Sequence, residues 1–352
     1  LQAYNLSSLL SLIPGLILNN ENIEIAGIGK PIYILNGTNP RMGELENLNP
    51  RDIEKVTIAR MPSSKFGPNA VGIIYIETKK QWHDYTRIRL KNQFKYTNVT
   101  NNQSSLFFSY KKNKLSHYLG YSFDYDPEKY DLRYGYETNI PEEDIHYSMF
   151  TSTDMYEKGK NHNLTYSTKY QINANSFVDL LYYFSMKNIL ADNLAHTDFF
   201  DEDQPDLSSH TLTDMKYKLH LANITYDNTF DGKDRLTFSI SCMLVDDKRD
   251  EALKEEALQT ESTRMAYNQA YKNKDVGLSL DYTHTFEGLD IETGVSYGKL
   301  WTQSDMNYYT ENNSQKSTSR TENTTAYLNI DHAIGKFHYQ IGLRGEYEYR
   351  HA

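Results

Sequence analysis

The chain has 352 residues, with 37 basic side chains against 47 acidic ones and a formal net charge of −10. That balance argues against a nucleic-acid binder, which needs a basic face to neutralise phosphates. One cysteine, Cys242, excludes an internal disulfide framework and any CxxC metal or redox motif.

No stretch approaches the roughly 18 uncharged apolar residues of a spanning helix. The nearest, Leu9 to Leu18, reads LLSLIPGLIL and is broken by Pro14 and Gly15, which predicts a short core helix ending at the step from Ile13 to Pro14. Short strand-like pieces follow at Ile23 to Gly27 and Pro31 to Gly37, and another apolar piece at Asn49 to Val56. The phrase MPSSKFGPNAVGIIYIETKK occupies residues 61 to 80. Gly67 and Gly72 permit backbone turns closed to residues with a Cβ, while Pro62 and Pro68 fix φ where the chain reverses. Ile73 to Ile76 then reads as a strand buried on both faces, and Lys79 and Lys80 mark a return to solvent.

The composition changes near residue 80, where alternating runs begin. Leu115, His117, Leu119, Tyr121, Phe123 and Tyr125 share one face, with polar or small residues between them. Period two means strand. The pattern recurs in Val178 to Met186, Leu236 to Leu244, Val276 to Tyr282, Leu289 to Tyr297 and Phe337 to Tyr347. With weaker runs, about eleven strands are expected between residues 86 and 350, each near the 9 to 11 residues of a membrane strand. Tight turns are expected at 112–114, 173–175, 231–234, 287–288 and 335–336. Long polar loops are expected at about 128–160, 189–213, 247–265 and 304–322. Long and short connections thus alternate, as in outer-membrane barrels and for no evident reason in a soluble sandwich. Thirty tyrosines fit a wall with one dry and one wet boundary, and a mean hydropathy of −0.71 does not oppose it, because spanning strands alternate in polarity.

The long loops are acidic: Glu142, Glu143 and Asp144; Asp198, Asp201, Glu202, Asp203 and Asp206; Asp246, Asp247, Asp250 and Glu251. Such oxygens could hold calcium, but EF-hand spacing is absent and the blander reading is a solvated loop. The eleven histidines are scattered without metal-ligand spacing. No GxSxG, HExxH, Walker A or dinucleotide glycine motif is present. No catalytic residue, metal site or cofactor is therefore expected, and the chain does not read as an enzyme.

Residues 9 to 80 resemble the plug domain of TonB-dependent outer-membrane receptors. The matching pieces, in the family's order, are Leu12-Ile-Pro-Gly-Leu16, Ile23-Glu-Ile-Ala-Gly27, Pro31-Ile-Tyr-Ile-Leu-Asn-Gly37, Asn49-Pro-Arg-Asp-Ile-Glu-Lys-Val56, Arg60-Met-Pro-Ser63, Phe66-Gly67 and Gly72 to Lys80. The resemblance implies a mainly β fold: a transmembrane antiparallel β-barrel with a small N-terminal α+β plug. The plug would occupy residues 1–81 and the first part of the barrel residues 85–352. About 22 strands form such a barrel when complete, and about 11 are read here. It also implies that Arg60 locks plug to wall through carboxylates, although Met61 stands where glycine is usual and Ala26 where a second arginine is common. Gly67 and Gly72 would serve as plug turns, and Asn20, Glu21, Lys30, Asn39 and Arg41 as ligand contacts at the plug apex.

On this reading the protein is an outer-membrane receptor that imports a nutrient by energised plug movement. Its implied partners are a TonB-type energy-transducing protein, outer-membrane lipid, an unidentified nutrient and an optional lipoprotein lid; the segment that binds the energy-transducing protein is not seen here. A passive porin-like or adhesin barrel and a soluble β-sheet binding module stay open as alternatives. With about eleven of about 22 strands read, an incomplete wall is expected; because an open apolar edge is not tolerated in lipid, either the sequence is a fragment or a second chain completes the wall.

Overall fold

The computed structural model describes residues 6–19, 22–35, 45, 48, 50–60, 62–66, 72–79, 84–140, 145–200, 206–257, 263–309 and 313–351. An N-terminal unit opens with helix α1 (Leu6–Leu10) and a hairpin of β1 (Leu16–Asn19) and β2 (Asn22–Ile25), with Leu16 opposite Ile25. A three-stranded sheet follows: β3 (Ile32–Leu35) runs parallel to β5 (Ile73–Thr78), and β4 (Ile53–Ala59) lies antiparallel on the other side of β5.

The helix ends earlier than the sequence suggests, and Leu16 to Leu18 belong to a strand. Pro14 disfavours helix at the residue before it, and Gly15 takes a φ of 89° that side chains with a Cβ rarely adopt. The chain therefore reverses into the hairpin. The strand over Ile73 to Ile76 holds as expected: Ile73, Ile74 and Ile76 are 0% exposed. Ile74 and Ile76 share their core with Leu6, Leu10, Leu16, Ile23, Ile25 and Leu35.

Gly72 is buried where β5 begins, and a Cβ built there would lie 2.5 Å from Ile25 Cδ1 and 3.3 Å from the Ala59 carbonyl. Since Ile25 is itself buried and has no free space to enter, Gly72→Ala is expected to destabilise this unit by about 1 to 3 kcal/mol. Faster hydrogen exchange at the Ile74 and Ile76 amides, with wall amides unchanged, is the readout.

Eleven further strands form one antiparallel sheet in sequence order: β6 (Tyr85–Tyr96), β7 (Thr100–Lys112), β8 (Leu115–Ile140), β9 (Ile145–Asn173), β10 (Ser176–Phe199), β11 (Leu207–Phe230), β12 (Asp234–Ala257), β13 (Thr263–Phe286), β14 (Leu289–Tyr308), β15 (Asn313–Ile334) and β16 (Phe337–His351). The expected strand number and all five tight turns are present. Asn113, Gly288 and Gly335 in these turns take φ of 53°, 78° and 60°, the positive values that tight hairpins demand. Strands β6 and β16 form the two edges of the sheet, which is open among the described residues.

The long connections differ from the expectation. Strands β8 to β15 run for 20 to 29 residues through the stretches read as loops, with continuous register such as Leu207↔Ala257 and Tyr267↔Tyr308. The connections between them, 141–144, 201–205, 258–262 and 310–312, lie outside the described residues. Beyond the apolar zone neither face is dry, so the alternation of polarity that marks a strand disappears while the backbone ladder continues.

The two faces differ in chemistry. One carries Leu119, Leu180, Ile224, Phe238, Ile240, Leu278, Leu280, Val295, Tyr297 and Leu343, all exposed. The register places these side by side, for example Ile240 opposite both Ile224 and Leu278. Polar groups such as Asn163, Thr225, Asp227 and Asn329 occupy the other face and are buried. There Asp227 accepts hydrogen bonds from Arg235 and Thr237 at 2.9 and 2.8 Å. A sheet dry on its outer face and polar on the inner one is the inverse of a soluble protein and matches a membrane wall.

Candidate functional site

The inner face of β13 to β16 holds the N-terminal unit by a one-turn 3-10 segment, Ser64–Phe66. Ser64 Oγ donates to the Leu328 carbonyl of β15 at 3.2 Å. Arg344 of β16 donates from Nη1 to the Ser64 and Lys65 carbonyls at 3.1 and 3.0 Å. Its Nε donates to Glu346, which fixes the guanidinium plane. Lys65 reaches back between two wall carboxylates, 3.6 Å from Asp281 of β13 and 3.7 Å from Glu292 of β14. The exchange is reciprocal: each partner supplies a cation, and the other supplies acceptors. Gly342 permits the approach, because a Cβ there would lie 3.0 Å from Ser64 Cβ.

Behind this contact Tyr327 is buried and donates its hydroxyl to Asp281, orienting the carboxylate toward Lys65. Tyr75 of β5 lies close enough to Glu292 to feel its charge: burial first, and then that carboxylate, raise its phenol above the ordinary value of 10. A second tether joins the unit to the opposite edge of the wall. Arg87 of β6 pairs with Asp52 at 2.9 Å, and Lys79 Nζ donates to the Arg51 carbonyl at 2.9 Å beside it. The unit is thus fastened to both β6 and β16, the two edges of the open sheet.

Among the residues singled out from the sequence, Arg60 is exposed at the end of β4, with its guanidinium over Gly15, where an added Cβ would lie 2.8 Å from Nη2. Among the described residues Arg60 makes no ion pair. Lys30 is exposed at the bend after the bridge between Ile25 and Gly29. Asn20, Glu21, Asn39, Arg41 and Gly67 lie outside the described residues, as do the acids of 141–144 and 201–205. Lys65, Asp281, Glu292 and Arg344 were not legible as a site. Their one signal is that Asp281, Glu292 and Arg344 are charges on the polar side of strands whose alternate residues are apolar.

In the hairpin of β10 and β11, His196, Asp198 and Asp206 bring ligand atoms within 4.8 Å of one another. His196 Nε2 lies 3.0 Å from Asp198 Oδ1, and its Nδ1 is 3.0 Å from Ser208 Oγ. Hydrogen bonding within the group accounts for this geometry without an ion.

Residues 228–351, about a third of the chain, match the model of an outer membrane protein beta-barrel family. No curated protein matches the chain. Among solved structures, the unliganded ferric citrate transporter FecA is similar at 11% identity, over 97% of this chain and 67% of that chain, with a TM-score of 0.40. BauA, the ferric preacinetobactin receptor of Acinetobacter baumannii, is 9% identical over 97% and 68% of the two chains, with a TM-score of 0.37. The ferric yersiniabactin uptake receptor FyuA of Yersinia pestis is 12% identical over 97% and 69%, with a TM-score of 0.38. The family match, the single eleven-stranded antiparallel sheet and its exposed apolar face define the class: this is a multi-pass β-barrel wall of the outer membrane.

Proposed function

We propose that the protein is a TonB-dependent receptor that imports a nutrient ligand, with residues 1–81 as the plug and residues 85–352 as barrel wall. The observation that carries this reading is the latch of Ser64–Lys65 against Arg344, Asp281 and Glu292 on the polar inner face. A passive pore has no use for a folded unit fastened across its lumen. The sequence pieces that resemble the plug, in the family's order, support it independently.

In this mechanism the ligand meets the plug apex, with Asn20, Glu21, Lys30, Asn39 and Arg41 as contacts, and a TonB-type partner pulls on the N-terminal segment. Arg60 would supply a further plug-to-wall lock. The latch suits such a task. Part-exposed ion pairs contribute roughly 0 to 1 kcal/mol each, and hydrogen bonds to charged groups about 1.5 to 3. A contact built from these holds the plug at rest, yet mechanical work can open it without unfolding the aliphatic core around Ile74. Among the described residues β6 and β16 each have a neighbour on one side only, and in lipid, which supplies no hydrogen-bond partners, such edges are stable only when paired.

The test is growth of a deletion strain on single nutrient sources, with native mass spectrometry of the purified protein for co-bound ligand. Loss of growth on one source, restored by the gene only when the energised inner-membrane complex is intact, is expected. Liposome swelling that proceeds at the same rate without energy coupling would instead establish the passive porin.

A further inference from the structure

We propose that the outer half of β8 binds an extended peptide as an added strand, with a cationic side chain facing Glu128 and Glu157 and apolar side chains along Tyr130, Leu132, Tyr134 and Tyr136. The inference rests on the outer-membrane wall and stands whether or not the peptide is imported. β7 pairs with β8 only as far as Tyr125, whereas β9 follows β8 to Ile140. Beyond the short turn joining β6 to β7, β8 therefore has a neighbour on one side only among the described residues.

Backbone direction fixes what that edge offers. The Gln171 N–H donates to the Lys114 carbonyl at 2.7 Å, so the even positions that follow bond to β9 and the odd ones face the other way. Asn98 shows the same phase from the β7 side, where its Nδ2 donates to the Lys129 carbonyl at 2.8 Å. Asp131, Arg133, Gly135 and Glu137 thus present their N–H and C=O groups at the open edge. Natural edges are blunted by proline, lysine, a bulge or an inward charge. From Tyr130 to Ile140 the sequence has no proline or lysine, and the register has no bulge. The charges of Asp131 and Arg133 cancel each other at 2.8 Å.

The inward face of this edge is apolar. Leu119 and Tyr121 point outward, so the even positions Tyr130, Leu132, Tyr134 and Tyr136 point inward, and these are 43 to 55% exposed. No lipid covers that face, and an exposed apolar stripe there marks a binding surface. At its foot the chemistry changes. Glu128 stands directly opposite Glu157 on the same face, where like charges repel. Among the described residues neither has a cation within ion-pair distance; Lys95 of β6 and Lys187 of β10, which share the face, reach neither. Slight burial, and then the charges of both glutamates, raise the Tyr130 phenol above its ordinary value of 10, so the three groups act at one place. A lysine or arginine of an added strand, in register with Glu128, offsets that repulsion. Every second residue beyond it then meets the stripe, while the main chain pairs with the edge.

The test titrates the labelled peptide Lys-Thr-Val-Thr-Phe-Thr-Val into the purified protein in neutral detergent, read by fluorescence anisotropy, with hydrogen exchange on the complex. Saturable binding is expected, with slowed exchange at the Asp131, Arg133 and Gly135 amides. Norleucine in place of the peptide's lysine should weaken binding about fivefold, and Glu128→Gln with Glu157→Gln should erase that difference. N-methylation of alternate peptide amides should abolish binding in one phase and leave it intact in the other, because only one set faces β8. Gly135→Pro removes an edge N–H without taking a bond from β9, and should weaken binding about tenfold. Equal effects of the two N-methyl phases, or wild-type affinity in Gly135→Pro with native heat-modifiability, would overturn the proposal. So would a lack of saturable binding, or a dimer of the protein that Gly135→Pro dissociates, which would assign the edge to a second copy of the chain.

Discussion

Leu278→Arg is expected to destabilise the membrane-inserted wall by about 2 to 4 kcal/mol, whereas Ser279→Arg, one residue away, should do so by far less. The asymmetry follows from the pleat. Leu278 stands on the outward face of β13, between Ile240 of β12 and Tyr297 of β14, and is 41% exposed. Four outward residues of this strand, Val276 to Tyr282, form the apolar crossing, and Leu278 lies well inside it. An arginine there must either carry its charge into hydrocarbon or thin the bilayer around itself. Ser279 shares the inner face with Asp281 and opposes Ser239 and Ser296, so an added guanidinium meets water and polar groups. Refolding into vesicles, followed by urea titration of both variants, measures the difference. Equal losses at the two positions would mean that the outward face is not in lipid.

That one-residue periodicity is also why so much of the wall was legible from sequence. Along β8, β10, β12, β13 and β16 the apolar residues alternate because one face is dry, and the strand count, the tight turns and the outward face followed from them. The signal stopped where its cause stopped. In residues 128 to 160 or 247 to 265 both faces are wet, no hydrophobic pattern is selected, and a continuous ladder such as Leu207↔Ala257 to Phe230↔Asp234 reads as loop. The break at Pro14-Gly15 was legible, but not that Leu16 to Asn19 would turn back as a strand, since four apolar residues carry no distinguishing period. The site was hardest for a different reason. Lys65 meets Asp281 and Glu292 across more than 200 positions of chain, and no local pattern encodes which inward charge of a barrel faces which turn of the unit inside it. Arg60 drew attention through its place in a motif, whereas Lys65 drew none.

Replacing both wall carboxylates, Asp281→Asn with Glu292→Gln, is expected to loosen the N-terminal unit by about 1 to 3 kcal/mol without altering the barrel. The amide introduced by Asp281→Asn retains an acceptor for the Tyr327 hydroxyl, so the change removes charge from the latch and little else. Lys65 then loses both anionic partners, while Arg344 still donates to the Ser64 and Lys65 carbonyls. Arg344→Lys tests that other half: a lysine keeps the charge but lacks the planar fork that reaches two carbonyls and Glu346 together. It should therefore recover only part of what Arg344→Ala loses. Hydrogen exchange at Ser64 to Phe66 and protease access to β5 report the opening, which at the stated energies accelerates about fivefold to a hundredfold. Lys65→Gln sharpens the test, because groups acting as one contact are not additive. In a K65Q background the carboxylate pair should matter much less, since its partner is already gone. Full additivity across that cycle would show that Lys65 and the two carboxylates are neighbours without being a latch, and the N-terminal unit would then have to be held by Arg87 and Asp52 at the other edge.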